Sequence, residues 1–167
     1  PFDKSKFFSE PSGHFSNFTT YAAAADVYVA CHYWDNRSPF IFTREDVKNP
    51  DWNISLVADV SCDIDGPVAT TLRPSTIANP FYGYDAHSEE EVDFDKEDSV
   101  GVMAVDNLPC ELPKDASVSF GEMFMDHVLE PLLGNDPENI IYRASETKDG
   151  QLTPHFAYLQ DYLEGKD

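Results

Sequence analysis

The stretch Val57-Ala58-Asp59-Val60-Ser61-Cys62-Asp63-Ile64-Asp65-Gly66 places carboxylates, a hydroxyl and a thiol within a few positions of one another. An apolar run that breaks into acids and a glycine reads as a buried strand handing its carboxylates to a loop. In open α/β sheets, ligands bind at such carboxyl ends. Two other apolar runs end the same way: Val27 to Tyr33 closes on His32 and Tyr33, and Val100 to Val105 gives way to Asp106 and Asn107. Parallel strands would bring all three polar ends to one edge, the arrangement from which α/β folds build ligand sites.

Other chemistries fail on their own requirements. Ser61 to Gly66 resembles the opening of an EF-hand loop, but the position that needs a bidentate Glu holds Leu72, so calcium is not expected there. His14, His32, His87, His127 and His155 have no paired helical spacing and no cysteine pair to complete a zinc site. There is no G-x-S-x-G elbow, and Cys31 and Cys62 have no neighbouring cation in sequence to lower a thiol pKa. Neither G-x-G-x-x-G nor a P-loop occurs, so no phosphate cradle is present in the chain. No metal is expected.

The 167 residues, 41% of them hydrophobic, suffice for a globular core. A net charge of −20 disfavours nucleic acid and anionic membrane partners. No apolar run reaches the roughly 18 residues of a membrane span. Cys31, Cys62 and Cys110 read as thiols of a reducing compartment, two of them buried in strand-like runs; a soluble, cytoplasmic protein is expected. Pro1 in place of an initiator Met suggests a fragment.

The elements that must position the polar ends follow from the pattern. Residues 1–14 read as loop with a short strand, and Ser16 or Asn17 as the cap of a helix through Ala22 to Ala25. Val27–Tyr33 reads as a strand covered on both faces. Thr43 caps a short helix stopped at Asn49-Pro50, and Ile54–Val60 is the next strand. Strand, short helix and strand at this spacing make a βαβ crossover with parallel pairing, half of a doubly wound sheet. Pro67–Tyr84 is expected to be extended or looped, and Ser88–Asp98, with seven acids and one Lys, to be a solvated hairpin. Val100–Val105 is the third buried strand. A helix begins at Pro113 and keeps its period to Leu133 before Gly134. Ile140 and Ile141 read as extended, and Thr153-Pro154 as the cap of a last helix.

The runs A-D-V-Y-V-A-C-H-Y-W (25–34), P-F-I-F-T-R-E-D-V (39–47), A-D-V-S-C-D-I-D-G (58–66), T-I-A-N-P-F-Y-G-Y-D (76–85) and V-D-N-L-P-C-E-L-P-K-D-A-S (105–117) together resemble the C-terminal part of the alanine dehydrogenase and saccharopine dehydrogenase superfamily. The resemblance is nearest to lysine-ketoglutarate reductase and the lysine-forming saccharopine dehydrogenases. It covers residues 20–135, more weakly to the end.

This resemblance implies an α/β fold: the second half of a Rossmann-like parallel sheet (residues 1–110), then a long helix returning to a substrate domain (111–167). It implies an oxidoreductase using NAD or NADP, with hydride transfer at a C–N centre of amino-acid and 2-oxo-acid substrates. His32 and Tyr33 match a loop beside the nicotinamide ribose; Val60, Ser61, Cys62 and Asp63 match the next cofactor-lining segment; Val105, Asp106, Asn107 and Leu108 match the third. Asp63 falls on the acid beside the nicotinamide and is the candidate catalytic residue; a fixed carboxylate there could hold a ribose hydroxyl or a substrate ammonium. The family's Gly-rich loop, ribose-binding acid and catalytic Lys and His precede the matched region. The chain is therefore expected to be a fragment, inactive alone, whose partner is an N-terminal catalytic domain. An alanine dehydrogenase-like activity and a non-catalytic acidic binding or assembly module are the rival readings, and oligomerisation is left open.

Overall fold

A computed structural model describes residues 3–166. The chain divides into two compact units, the first ending at Glu111 and the second starting at Leu112.

The first unit is a five-stranded sheet. Strands β1 (Val27–Ala30), β2 (Leu56–Asp59), β3 (Phe81–Asp85), β4 (Glu90–Val92) and β5 (Val100–Met103) stand in the order β1-β2-β5-β3-β4. β1 and β5 both pair parallel with β2, whereas β3 pairs antiparallel with β5 and with β4. The apolar runs read as strands thus form a parallel trio, and an antiparallel hairpin closes its far side. The core beneath it includes Phe42, Val57, Val68, Tyr84 and Val102. Phe18 stacks on Phe42, with Trp52 edge-on to that ring.

Several local expectations need correction. Residues 4–9 are helical, because Asp3 accepts from the Ser5 and Lys6 amides and caps α1 (Lys4–Ser9). Helix α2 spans only Thr19–Ala22, with no side-chain cap; the Asn53 amide takes the Ala22 carbonyl. β1 stops at Ala30 and buries one face only: Val27 and Val29 are 51% and 55% exposed, as fits an edge strand paired only with β2. The stretch Pro67–Tyr84, expected to be extended or looped, ends in β3 (Phe81–Asp85), an extended strand within the sheet. Cys31 and Cys110 are exposed and Cys62 is half-buried, all free, so the expected burial of two thiols fails. Thr43 does cap α3 (Arg44–Val47), in a reciprocal capping box with Asp46.

The second unit opens with α4 (Pro113–His127) and α5 (Leu129–Leu133). The single helix expected to Leu133 breaks at Val128, where the missing N–H and the ring of Pro131 disfavour a continuous turn over His127. Ile140–Ile141 is not extended: it starts α6 (Ile140–Ala144), whose first amides are taken by the Asp136 carboxylate, Ile140 at 2.6 Å and Ile141 at 2.8 Å. β6 (Thr147–Lys148) and β7 (Gln151–Leu152) form a hairpin over Asp149-Gly150, both with positive φ. Thr153 does not cap the last helix; its hydroxyl bonds the Ser145 carbonyl at 2.6 Å. A 3₁₀ segment, Pro154–Leu159, then leads into α7 (Gln160–Leu163).

Candidate functional site

The parallel pairings of β1, β2 and β5 set their carboxyl ends on one edge of the sheet. The segments leaving those ends are laced together. The Val60 and Ser61 amides both donate to the Ala30 carbonyl, at 2.9 and 3.2 Å. On the other side the Cys62 thiol donates to the Ala104 carbonyl at 3.1 Å.

The turn after β2 is built around Asp59, which is fully buried. One carboxylate oxygen accepts from the Ser61 hydroxyl at 2.5 Å and the Cys62 amide at 3.0 Å. The other accepts from the Thr71 hydroxyl at 2.7 Å. A buried carboxylate persists only when its oxygens are bonded, so Asp59 belongs to the architecture. Cys62 and Asp65 take left-handed backbone, with φ of 52° and 53°. A Cβ at Gly66 would lie 2.6 Å from Asp63 Cβ and the Asp63 carbonyl oxygen, so the turn requires glycine.

Asp63 is different. It is half-buried, and its side chain accepts no hydrogen bond among the described residues; only its carbonyl is used, by the Gly66 amide. Its carboxylate is left available at the edge. Burial pushes the Cys62 thiol up, and the carboxylates of Asp59, Asp106 and Asp63 add to the effect. Those three acids therefore share one neighbourhood, in which a thiolate is disfavoured and a positive charge is favoured.

The remaining candidates are placed as follows. Val60, 40% exposed, lies open on the edge, and Ser61 is committed to Asp59. Val105 is buried and bridged to Ser75; Asp106 and Asn107 are exposed, and Leu108 starts a 3₁₀ turn. Tyr33 is 91% exposed. His32 is half-buried, with both ring nitrogens enclosed and without a partner. It borders a cleft of about 680 Å³ walled by Phe7, Phe15, Trp34 and Phe40. Neither His32 nor Tyr33 hydrogen-bonds to the other two segments among the described residues. The sequence pattern did not single out Thr71, whose hydroxyl completes the Asp59 shell; a polar residue buried in an irregular loop has no periodic signature.

Among the described residues no cluster of His, Cys, Asp and Glu could hold a metal. None of their helices is long and apolar enough to cross a membrane.

Converging parallel-strand ends define the class: an α/β sheet with a polar carboxyl edge fit for a ligand. No family model matches the chain. It is similar to the mitochondrial alpha-aminoadipic semialdehyde synthase of Mus musculus, 27% identical over 197 residues, covering 99% of this chain and 21% of that protein. The alpha-aminoadipic semialdehyde synthase of Arabidopsis thaliana is also 27% identical, over 95% of this chain and 16% of that one. A saccharopine dehydrogenase (NAD⁺, L-lysine-forming) of Candida albicans is 26% identical over 75% of this chain and 31% of its own. The chain spans about a fifth of the length of its mouse relative. These similarities support a relationship to saccharopine-related oxidoreductases.

Proposed function

We propose that the carboxyl edge of β1, β2 and β5 is one wall of a nicotinamide cofactor site in an amino-acid oxidoreductase of the saccharopine type. The observation that carries this reading is the laced junction of the three strand ends around Cys62, in a chain similar along nearly its whole length to saccharopine-related proteins. In this reading His32 and Tyr33, Val60 to Asp63, and Val105 to Leu108 line NAD or NADP. The cofactor supplies the hydride; the chain supplies position and charge.

Asp63 is the side chain with a chemical role. It fits a ribose hydroxyl or the ammonium of an amino acid, because its oxygens are free while those of Asp59 are taken. The substrates are an amino acid and a 2-oxo acid, joined or separated at a C–N bond. Acid and base catalysis comes from a catalytic domain that precedes this region in a longer polypeptide. The apolar character of the second unit supports that placement: Phe120 and Leu133 are 74% and 78% exposed, and α4 buries none of its residues. Val118, Phe120, Met123 and Met125 of α4 are all more than half exposed, and exposed apolar side chains clustered on one helix suit cover by a larger body. The three free thiols suit a reducing compartment, cytoplasm or mitochondrial interior.

The test is Asp63→Ala in the complete polypeptide that carries this chain. Turnover should fall at least tenfold while the melting temperature stays unchanged. Unchanged kinetics would remove Asp63 from the chemistry.

A further inference from the structure

A second cleft in the first unit, of about 400 Å³, lies between the start of α3 and the loop 65–71. Its two walls are tied at the base: the Ile41 and Phe42 amides donate to the Pro67 carbonyl, and Phe42 bridges Val68 in parallel fashion. Phe40, Val68 and Ala69 make one side apolar, whereas Arg44 and Asp65 stand together at the mouth. The Arg44 guanidinium bonds Glu89 at 3.3 Å through one nitrogen, and another nitrogen lies 3.9 Å from the Asp65 carboxylate. That second contact is beyond hydrogen-bond reach. The Asp65 side chain is 85% exposed and that of Arg44 45%. An exposed pair of this kind contributes little to stability. A ligand able to satisfy both charges displaces it at little cost.

The charges select the ligand. A simple anion at Arg44 meets the carboxylates of Glu45, Glu89 and Asp65 around the cleft, Glu89 and Glu45 being shared with Lys48 at 2.6 and 3.4 Å, and a simple cation at Asp65 meets the Arg44 guanidinium. A molecule with both signs, one carbon apart, can satisfy Arg44 and Asp65 together and leaves a side chain for the apolar wall. We propose that this cleft binds a free α-amino acid as its zwitterion, carboxylate on Arg44 and ammonium on Asp65, with an aliphatic side chain against Phe40, Val68 and Ala69. The site uses none of the side chains assigned to the cofactor wall and needs no cofactor. Its residues Asp65 and Gly66 belong to the turn that carries Asp63, with the Gly66 amide on the Asp63 carbonyl, and its wall residue Thr71 donates to Asp59.

The experiment is an amide chemical-shift titration of the 167-residue chain with L-leucine, with no cofactor added. The expected result is saturable shifts at Arg44, Gly66, Ala69 and Thr71. 4-Methylpentanoate and 3-methylbutylamine, which each lack one charged group, should bind at least tenfold more weakly. Arg44→Gln and Asp65→Asn should each weaken leucine at least tenfold with an unchanged urea midpoint. Absence of shifts at tens of millimolar leucine, shifts elsewhere only, or equal binding of a singly charged analogue would overturn the proposal. Because NAD(H) plays no part, failure here leaves the cofactor reading intact, and the reverse also holds.

Discussion

The hydroxyl of Thr71 donates to the carboxylate of Asp59 at 2.7 Å, both residues being fully or almost fully buried. This bond joins the end of β2 to the loop that returns beneath it. Asp59→Ala would strip the acceptor from Thr71, Ser61 and the Cys62 amide together. A loss of about 2–4 kcal/mol is expected in urea unfolding of the chain, with Asp59→Asn less damaging because it keeps an acceptor oxygen.

The two glycines with opposite surroundings should respond in opposite directions. At Gly83, in the centre of β3, a Cβ would lie 2.5 Å from the Asp93 carbonyl oxygen. Gly83→Ala should therefore destabilise by about 1–3 kcal/mol. At Gly121, inside α4, an added Cβ meets nothing within 4 Å. Gly121→Ala should stabilise the helix by about 0.5–1 kcal/mol. Thermal unfolding of the two variants beside the parent chain checks both signs.

Stability should fall at both ends of the pH range. Hydrogen bonds from Arg37 hold Asp35 down at about 2, and the Lys96 ammonium with the Ser88 and His87 amides holds Asp85 well below the usual carboxylate range. Their contribution is present above the unfolded carboxylate pKa of about 4 and is lost as pH falls through the lower folded values. Burial, then the nearby Asp59 and Cys31, pushes the Tyr28 phenol up to about 12. Its contribution is complete below the unfolded value of about 10 and is lost as pH rises towards the folded one. Urea midpoints measured across pH check both limbs, and Lys96→Ala should shrink the acid limb.

The thiols should separate by reactivity. Cys31 and Cys110 are exposed, whereas Cys62 is half-buried, bonded to Ala104 and raised by burial and three carboxylates. Under iodoacetamide at neutral pH, Cys62 should alkylate at least tenfold more slowly than the other two, because the thiolate is the reacting form. Peptide mass spectrometry over time reads this directly.

What the sequence revealed and what it hid follow from the kind of interaction involved. β1, β2 and β5 were legible as apolar runs, and their parallel pairing as the consequence of a crossover through the Thr43-capped helix. β3 was legible only as extended chain or loop, because Pro74 and Pro80 punctuate a segment whose burial comes from two tyrosines packed in the sheet. The α6 turn was hidden because Asp136 acts from four residues upstream, overriding the strand preference of two isoleucines. Spacing alone could not rank Asp59 against Asp63. Their hydrogen bonds do, since one carboxylate is fully engaged and the other is free. The Arg44 cleft had no signature at all, its walls being joined only by tertiary contacts across the Ile41–Pro67 junction.

In the proposed function the carboxyl edge of the parallel strands faces a nicotinamide cofactor, and an amide chemical-shift titration of the chain with NADH probes that edge. Weak, saturable shifts are expected at His32, Tyr33, Val60 to Asp63 and Val105 to Leu108, with affinity lowered at least tenfold by Asp63→Asn. Shifts confined to other surfaces, or none in those three segments at saturating NADH, would remove the cofactor from this edge.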